Sequence, residues 1–497
     1  MGELLLQAKG ICKSFAGVRA LNNVDLEIRK GEIGCLAGEN GSGKSTLIKI
    51  ISGAYMPDSG EINIGGKSYS KMSPDISIHE GIQVIYQDFS IFPNLTVAEN
   101  IAMNDLVYNN KKTVNWKNIF ETAKKALDKV GVDIDLYANV SELPVADKQL
   151  VAISRALLQN AKLIIMDEPT TALTNKEIDK LFKIIYSLKE KGISILFVSH
   201  KLEEVFSIAE RITVLRNGEK IVSDEIAHFN KNNFIYYMTG RELEEVQFVP
   251  ENLSEKPMLE VENLSKKGCF KDISFSLNGG EILGITGLLG SGRTELALSL
   301  FGRLPADKGT IKIRGKEVKI DSISTAIKEK IGYVPEDRLT EGLFLDQSIG
   351  KNIIVTVIDK LLSKLKIVNP KAVDGQIDHW IDELSIKSSS PKYAVKTLSG
   401  GNQQRVVLAK WLATDPDILI LNGPTVGVDI GSKSDIHGIL AKLAKRGLAV
   451  IIISDDIPEV LLNCNKILLI RKGELVGELD TVGLSEKELS NKLVEAN

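Results

Sequence analysis

The chain is poor in cysteine, has no long apolar run and carries no excess of charge of either sign. Its four cysteines, Cys12, Cys35, Cys269 and Cys464, lie far apart in 497 residues and show no metal-ligand spacing. They read as buried free thiols of a reducing compartment rather than a disulfide framework. The longest apolar stretches, such as Leu448–Ile453, are strand-sized, far short of the ~18 residues that suggest a spanning helix. Mean hydropathy is +0.01, which excludes a polytopic membrane protein. Lys and Arg number 62 against 65 Asp and Glu, a net charge of −3. A broad nucleic-acid-binding surface needs a basic excess that is not there. Met1–Leu6 has no basic region leading into a long apolar core, so no signal peptide is expected. What remains is an ordinary globular composition, 43% hydrophobic and 26% charged. Its length suits two to four domains.

The same pattern is written twice. The apolar run Glu32–Ala37 leads into Gly38-Glu-Asn-Gly-Ser-Gly-Lys-Ser45, and Glu281–Thr286 leads into Gly287-Leu-Leu-Gly-Ser-Gly-Arg-Thr294. Gly287 lies 249 positions after Gly38. Leu163-Ile-Ile-Met-Asp-Glu-Pro-Thr170 is matched by Ile418-Leu-Ile-Leu-Asn-Gly-Pro-Thr425, with Asn422 lying 255 positions after Asp167. The second copy therefore carries six extra residues between these two motifs. An acidic stretch with two prolines, Arg241–Pro257, joins the copies and has linker composition. The expected division is a first domain at 1–242, a linker at 243–256 and a second domain at 257–497. Short unbroken apolar runs such as Ser194–Ser199 and Ala449–Ser454 suit strands buried on both faces of a parallel sheet. Arg216-Asn-Gly-Glu219 and Arg471-Lys-Gly-Glu474 read as hairpin turns. Each half is thus an α/β domain with an antiparallel β appendage, large enough to bury its own core.

Three motifs carry chemistry in the first half. Gly38-x-x-x-x-Gly43-Lys44-Ser45 follows a strand and opens a helix, the context a phosphate loop requires. Gly38, Glu39, Asn40, Gly41, Ser42, Gly43, Lys44, Ser45 and Thr46 form the expected cradle. Its glycines let backbone N–H groups close on phosphate oxygens at a helix N-terminus. Lys44 is placed for the terminal phosphates of ATP and Ser45 for Mg²⁺. Leu163–Glu168 is a strand ending in two carboxylates. Asp167 there suits Mg²⁺, and Glu168 suits polarisation of the attacking water. His200 ends the run Ser194–Ser199, level with the other strand ends, and suits a γ-phosphate contact. His79, His228, His379 and His437 have no such context.

With these motifs in order, the sequence resembles an ABC ATPase, and more narrowly the double-domain ATPase subunit of bacterial carbohydrate importers of the ribose, galactose and xylose kind. The likeness spans both halves. Leu398-Ser399-Gly400-Gly401-Asn402 departs from the family's Leu-Ser-Gly-Gly-Gln signature only at its last position. The family's Q-loop glutamine falls on Gln87, with a catalytic and metal-binding role, and its adenine-stacking aromatic on Phe15. The resemblance implies two tandem P-loop domains, each with a mainly parallel sheet, an antiparallel appendage and a helical subdomain. It implies head-to-tail pairing of the two domains, within the chain or between chains, so that Ser399–Asn402 face the ATP held by the other half. It also implies transmembrane permease subunits, an extracellular solute-binding protein acting through them, and a peripheral position on the cytoplasmic side of the membrane.

The departures from the family pattern cluster. In the second half Arg293 stands for Lys44, Glu336 for Gln87, Asn422 for Asp167, Gly423 for Glu168 and Asp455 for His200. In the first half only the signature is broken, to Leu143-Pro144-Val145-Ala146-Asp147, where Pro144 lacks a hydroxyl and an N–H. Under head-to-tail pairing every loss falls into one composite site, and the other keeps every group. Losing one transition-state donor typically costs ~10²–10³ in rate, so one hydrolytic site per chain is expected. The expected function is ATP hydrolysis driving import of a sugar. A nucleoside or sugar-like signalling molecule is the alternative cargo, and a soluble double-ABC protein is the alternative class.

Overall fold

The computed structural model describes residues 2–15, 18–108, 115–171, 173–242, 247–250, 253–254, 256–288, 290–363 and 365–495. The chain divides into two compact units, Met1–Leu243 and Glu244–Asn497. In the first unit β1 (Leu4–Phe15), β2 (Val18–Arg29), β4 (Ser59–Ile64) and β5 (Lys67–Tyr69) make an antiparallel sheet in the order β2-β1-β4-β5. A second sheet has the order β10-β9-β3-β8-β7-β6. It is built from β3 (Ile33–Ala37), β6 (Ile82–Ile85), β7 (Leu163–Asp167), β8 (Ser194–Val198), β9 (Arg211–Arg216) and β10 (Glu219–Glu225). All its neighbours are parallel except β9 and β10.

Side-chain alternation explains why the parallel strands read as unbroken apolar runs. On β7, Ile164 and Met166 enter one core while Leu163 and Ile165 enter another; on β8, Ile195 and Phe197 separate from Leu196 and Val198 in the same way. One face packs on α1 (Lys44–Ile51) and the antiparallel sheet. The other packs on α3 (Val97–Tyr108), α4 (Trp116–Val130) and α5 (Val145–Leu158), the helical subdomain between β6 and β7. The short α2 (Pro74–His79) precedes β6. α6 (Asn175–Glu190), α7 (Leu202–Ile208) and α8 (Lys231–Thr239) complete the unit.

The second unit repeats this plan. Its antiparallel sheet is β12-β11-β14-β15, from β11 (Pro257–Lys266), β12 (Phe270–Asn278), β14 (Lys308–Ile313) and β15 (Lys316–Glu317). Its mixed sheet is β16-β17-β18-β13-β19-β20. The strands are β13 (Ile282–Thr286), β16 (Ile331–Val334), β17 (Ile418–Asn422), β18 (Ala449–Ile453), β19 (Lys466–Arg471) and β20 (Glu474–Asp480). The helices are α9 (Arg293–Leu300), α10 (Ile323–Lys328), α11 (Ile349–Ile354), α12 (Pro370–Glu383), α13 (Gly400–Leu412), α14 (Ile430–Lys445), α15 (Ile457–Asn463) and α16 (Glu486–Glu495). Both expected hairpins are present. Asn217 and Gly218 have φ of 52° and 79°, and Lys472 and Gly473 have φ of 48° and 82°. Two successive left-handed residues match the twist of the flanking strands.

Half of the length excess has a definite place. Phe92 and Phe344 each donate their N–H to an asparagine side chain, Asn100 and Asn352, at 2.8 Å, which makes them equivalent. They lie 252 positions apart, whereas Gln87 and Glu336 lie 249 apart, so three residues enter between. The lengthened segment contains a five-residue π-helical turn, Arg338–Gly342.

Two sequence readings are refined. Cys35 and Cys464 are buried, but Cys12 and Cys269 are only partly so, and all four are free thiols. Cys12 sits where β1 bulges away from β2, with its sulfur accepting the Asn23 N–H at 3.2 Å. Of the expected linker, 243–246, 251–252 and 255 lie outside the described residues. Phe248 is not linker-like: it is buried in the second unit's core, and its N–H donates to Leu462 O at 2.8 Å. Among the described residues no helix is long and apolar enough to cross a membrane.

Candidate functional site

The phosphate loop runs from the end of β3 into α1. Gly43 precedes α1 at φ 104°, and a Cβ there would lie 2.7 Å from Ala20 O. A Cβ on Gly38 would lie 2.3 Å from Leu215 O. Only glycine satisfies both the dihedral and the close approach. The β9–β10 turn braces the loop from behind: Gly218 N donates to Ser42 O at 3.0 Å, and Gly218 O accepts from Asn22 N at 2.7 Å. Lys44 is 6% exposed, and its Nζ donates to Gly38 O at 2.7 Å and Glu39 O at 2.9 Å. The Ser42 hydroxyl is buried with no hydrogen-bond partner among the described residues. An ammonium folded back on loop carbonyls and an orphaned hydroxyl fit a cradle for phosphate oxygens.

The other strand ends bring their groups to the same place. Burial raises the Asp167 carboxyl above its ordinary range; the adjacent Glu168 charge adds to the rise, and Lys44 and a hydrogen bond from Ser45 oppose it. Glu168 sits at φ 49°, a left-handed conformation for a residue with a side chain, and its N–H donates to Val198 O at 3.0 Å. Its Oε1 is 3.0 Å from His200 Nδ1, and this hydrogen bond holds the carboxyl below its ordinary value. Ser45, Asp167 and the neighbouring carboxylate suit a hard divalent cation. Among the described residues no three His, Cys, Asp or Glu converge to hold a metal, so such an ion would complete its shell with phosphate oxygens.

Gln87 is exposed and follows β6, the sheet neighbour of β7. Phe15 ends β1 and is 39% exposed, with Tyr55 edge-on at 5.4 Å, so its ring is available to stack rather than sealed in the core.

The second unit keeps the backbone and changes the chemistry. Gly292 precedes α9 at φ 96°, and Ser291 has a buried, unpartnered hydroxyl like Ser42. Arg293 donates to Gly287 O and pairs with Asp455, its Nη2 lying 3.4 Å from Oδ2. Asn422 Nδ2 lies 3.5 Å from Thr294 Oγ1, replacing the hydroxyl–carboxylate contact of the first unit. Asn422 also hydrogen-bonds Tyr333, whose hydroxyl burial pushes up to about 12. Gly423 keeps the left-handed conformation at φ 56°, and the Glu336 side chain occupies the adjoining space, its Cγ 3.1 Å from where a Cβ would stand.

The two signature segments also share a backbone. Ser399 caps α13 at φ −63° and ψ 157°, and Pro144 caps α5 at φ −55° and ψ 154°. Ser399 Oγ accepts from Asn402 Nδ2 at 3.0 Å, while Asn402 Oδ1 accepts from Lys387 N at 2.7 Å. The departure to asparagine thus has a partner of its own. Packing constrains Gly401 more strictly than Gly400. A Cβ on Gly401 would lie 2.1 Å from Ser432 Oγ, and one on Gly400 would lie 2.8 Å from Arg338 Nη2.

The ABC transporter family matches residues 21–171 and 270–426. The chain belongs to the ABC transporter family. A ribose import ATP-binding protein, RbsA, of Clostridium perfringens (strain 13 / Type A) is 42% identical over 501 residues, covering 100% of both chains. A putative ribose/galactose/methyl galactoside import ATP-binding protein of Halalkalibacterium halodurans is 40% identical over 481 residues, covering 96% of this chain and 92% of that protein. A solved ATP-binding cassette of an ABC transporter, in its ADP conformation, is 29% identical and covers 48% of this chain and 99% of its own, with a TM-score of 0.43. The two matched segments fall one in each half, so each half of this ABC protein is an ATP-binding domain. Sequence reasoning missed two of its arginines. Arg155 on α5 donates to Ser90 O at 2.8 Å and Phe89 O at 3.2 Å, holding the turn after Gln87. Its signal was a lone cation inside the apolar run Leu150–Leu158. Arg338 lies in the inserted turn, and only the length excess pointed to it.

Proposed function

We propose that this ABC ATPase powers a membrane permease for import of a sugar, through one competent ATP site and one degenerate site per chain. The observation that carries this is the segregation of groups. Lys44, Ser45, Asp167, Glu168 and His200 converge in the first unit, while Arg293 is tied to Asp455 and Gly423 offers no carboxylate in the second. ATP is held by Gly38–Thr46, with Phe15 beneath the adenine. Ser45 and Asp167, with Gln87, would hold Mg²⁺, which would offset phosphate charge. Lys44 exchanges its loop carbonyls for phosphate oxygens. Glu168, kept ionised by His200, orients the attacking water and takes up its proton. Ser399–Asn402 of the second domain complete the site by head-to-tail pairing, their helix N-terminus favouring negative charge.

The domains of this reading are 1–242 and 257–497, with 243–256 between them and Phe248 of that segment packed on the second domain. The importer relatives support permease partners, a solute-binding protein acting through the permease, and a place at the cytoplasmic face of the membrane. Glu168→Gln tests the reading. Turnover should fall by ~10²–10⁴ while ATP binding persists. Adding Asn422→Asp and Gly423→Glu should not rescue it, because Glu336 packs against position 423 and would repel a new carboxylate. Wild-type turnover in Glu168→Gln, or rescue in the triple variant, overturns the assignment.

A further inference from the structure

The inserted turn Arg338–Gly342 is absent from the first unit; its start holds the loop after Pro424, beside the signature, and its end holds α13. Asp337 builds it: Oδ1 accepts from Leu339 N at 2.9 Å and Thr340 N at 3.1 Å, and Oδ2 accepts from Thr340 Oγ1 at 2.6 Å. At its start, Arg338 Nη1 donates to Val426 O at 2.7 Å and Nη2 to Gly427 O at 3.1 Å. The guanidinium lies beside the signature: a Cβ on Gly400 would stand 2.8 Å from Nη2, so the Arg338 side chain would have to shift to admit one. At its end, Gly342 O accepts from Lys410 Nζ at 2.5 Å, on the third turn of α13. A Cβ on Gly342 would lie 3.2 Å from Val407 Cγ2, again on α13. The guanidinium therefore ties the turn after Glu336 to the loop after Pro424 and lies against the signature at Gly400.

We propose that Arg338 is a positioning residue for the first-unit ATP site, setting the register of Ser399–Gly401 from the degenerate half. This rests on the head-to-tail reading, under which that signature serves the competent site. A rigid planar fork fixes two carbonyls at once, which a lysine cannot do. The second unit has lost its own hydrolytic groups, yet the arginine it adds lies against the one motif it keeps intact; the Lys410 contact, by contrast, has a first-unit counterpart in Arg155, which holds the turn after Gln87.

The test is steady-state ATP turnover of the full-length chain carrying Arg338→Ala, Arg338→Lys or Ser399→Ala, with thermal unfolding alongside. Loss of two charge-assisted hydrogen bonds should lower kcat by about tenfold or more, with KM for ATP within about twofold of wild type. Free guanidinium ion should restore part of the turnover of Arg338→Ala and none of that of Ser399→Ala. Should Arg338→Ala unfold early, Arg338→Lys decides; an unchanged kcat in that variant overturns the proposal. Loss with Ser399→Ala but wild-type kcat with Arg338→Ala overturns the role of Arg338 and leaves head-to-tail pairing standing. A wild-type rate with Ser399→Ala overturns both. A loss in Arg338→Ala that matches its unfolded fraction makes the residue structural only and overturns the proposal as well.

Discussion

Gly401→Ala isolates how much of the signature is dictated by packing. The new Cβ would stand 2.1 Å from Ser432 Oγ and 2.4 Å from Ser432 Cβ. Rotating the Ser432 hydroxyl relieves the first contact at the loss of its bond to Asp429 Oδ2, now 3.1 Å long. It cannot relieve the second. Apolar carbons rest at ~3.5–4.0 Å, so α13 and α14 must part by more than about 1 Å. Overpacking of that size costs ~1–3 kcal/mol. In a unit of this size each kcal/mol lowers Tm by about 2–4 °C, so a fall of ~4–8 °C is expected for a cost near 2 kcal/mol. The assay is scanning calorimetry of the full chain, following the second unit's transition. Ser432→Gly removes both contacting atoms, so the double variant should regain most of the loss relative to Ser432→Gly alone. An unchanged Tm in Gly401→Ala, or no recovery in the double variant, refutes the packing argument.

Two further predictions concern the carboxylates of the first unit. Glu168 is held below its ordinary value by His200, so its contribution to stability is complete above ~pH 4.3 and is lost as pH falls through the depressed value. The stability gap between wild type and His200→Ala should therefore shrink between about pH 6 and about pH 3; a gap that widens contradicts this. Asp167 is raised by burial, so its ionised form opposes folding once pH exceeds the raised value. Metal-free Asp167→Asn should melt higher than wild type near pH 7, lose that advantage in acid, and have lost its turnover. A lower melting temperature near pH 7 contradicts the sign. Asn422 is this same substitution, already present in the second unit.

Much of the fold was legible because its signals are local. Runs such as Ser194–Val198 report burial on both faces, and Asn217–Gly218 reports a hairpin within two residues. The same holds for Gly43, whose dihedral follows from the loop it closes. The rest depends on contacts between distant positions. Nothing near Gly401 in sequence announces Ser432, and nothing near Gly400 announces Arg338. The six-residue excess was countable, but placing three of those residues needed the matched Phe92 and Phe344 bonds. Acidic and proline neighbours give Phe248 the surroundings of a linker residue, whereas its burial depends on α15, more than 200 positions away. Cys12 was read as buried from residue type alone, and the bulge that half-exposes it has no sequence mark.

The central claim is one working ATP site per chain, and Lys44 and Arg293 hold matching positions in the two loops. ATP turnover of Lys44→Ala and Arg293→Ala, measured side by side in the full-length protein, tests it most directly. The account predicts background turnover for Lys44→Ala and near-wild-type turnover for Arg293→Ala. Equal loss in both variants, or survival of turnover in Lys44→Ala, would contradict it.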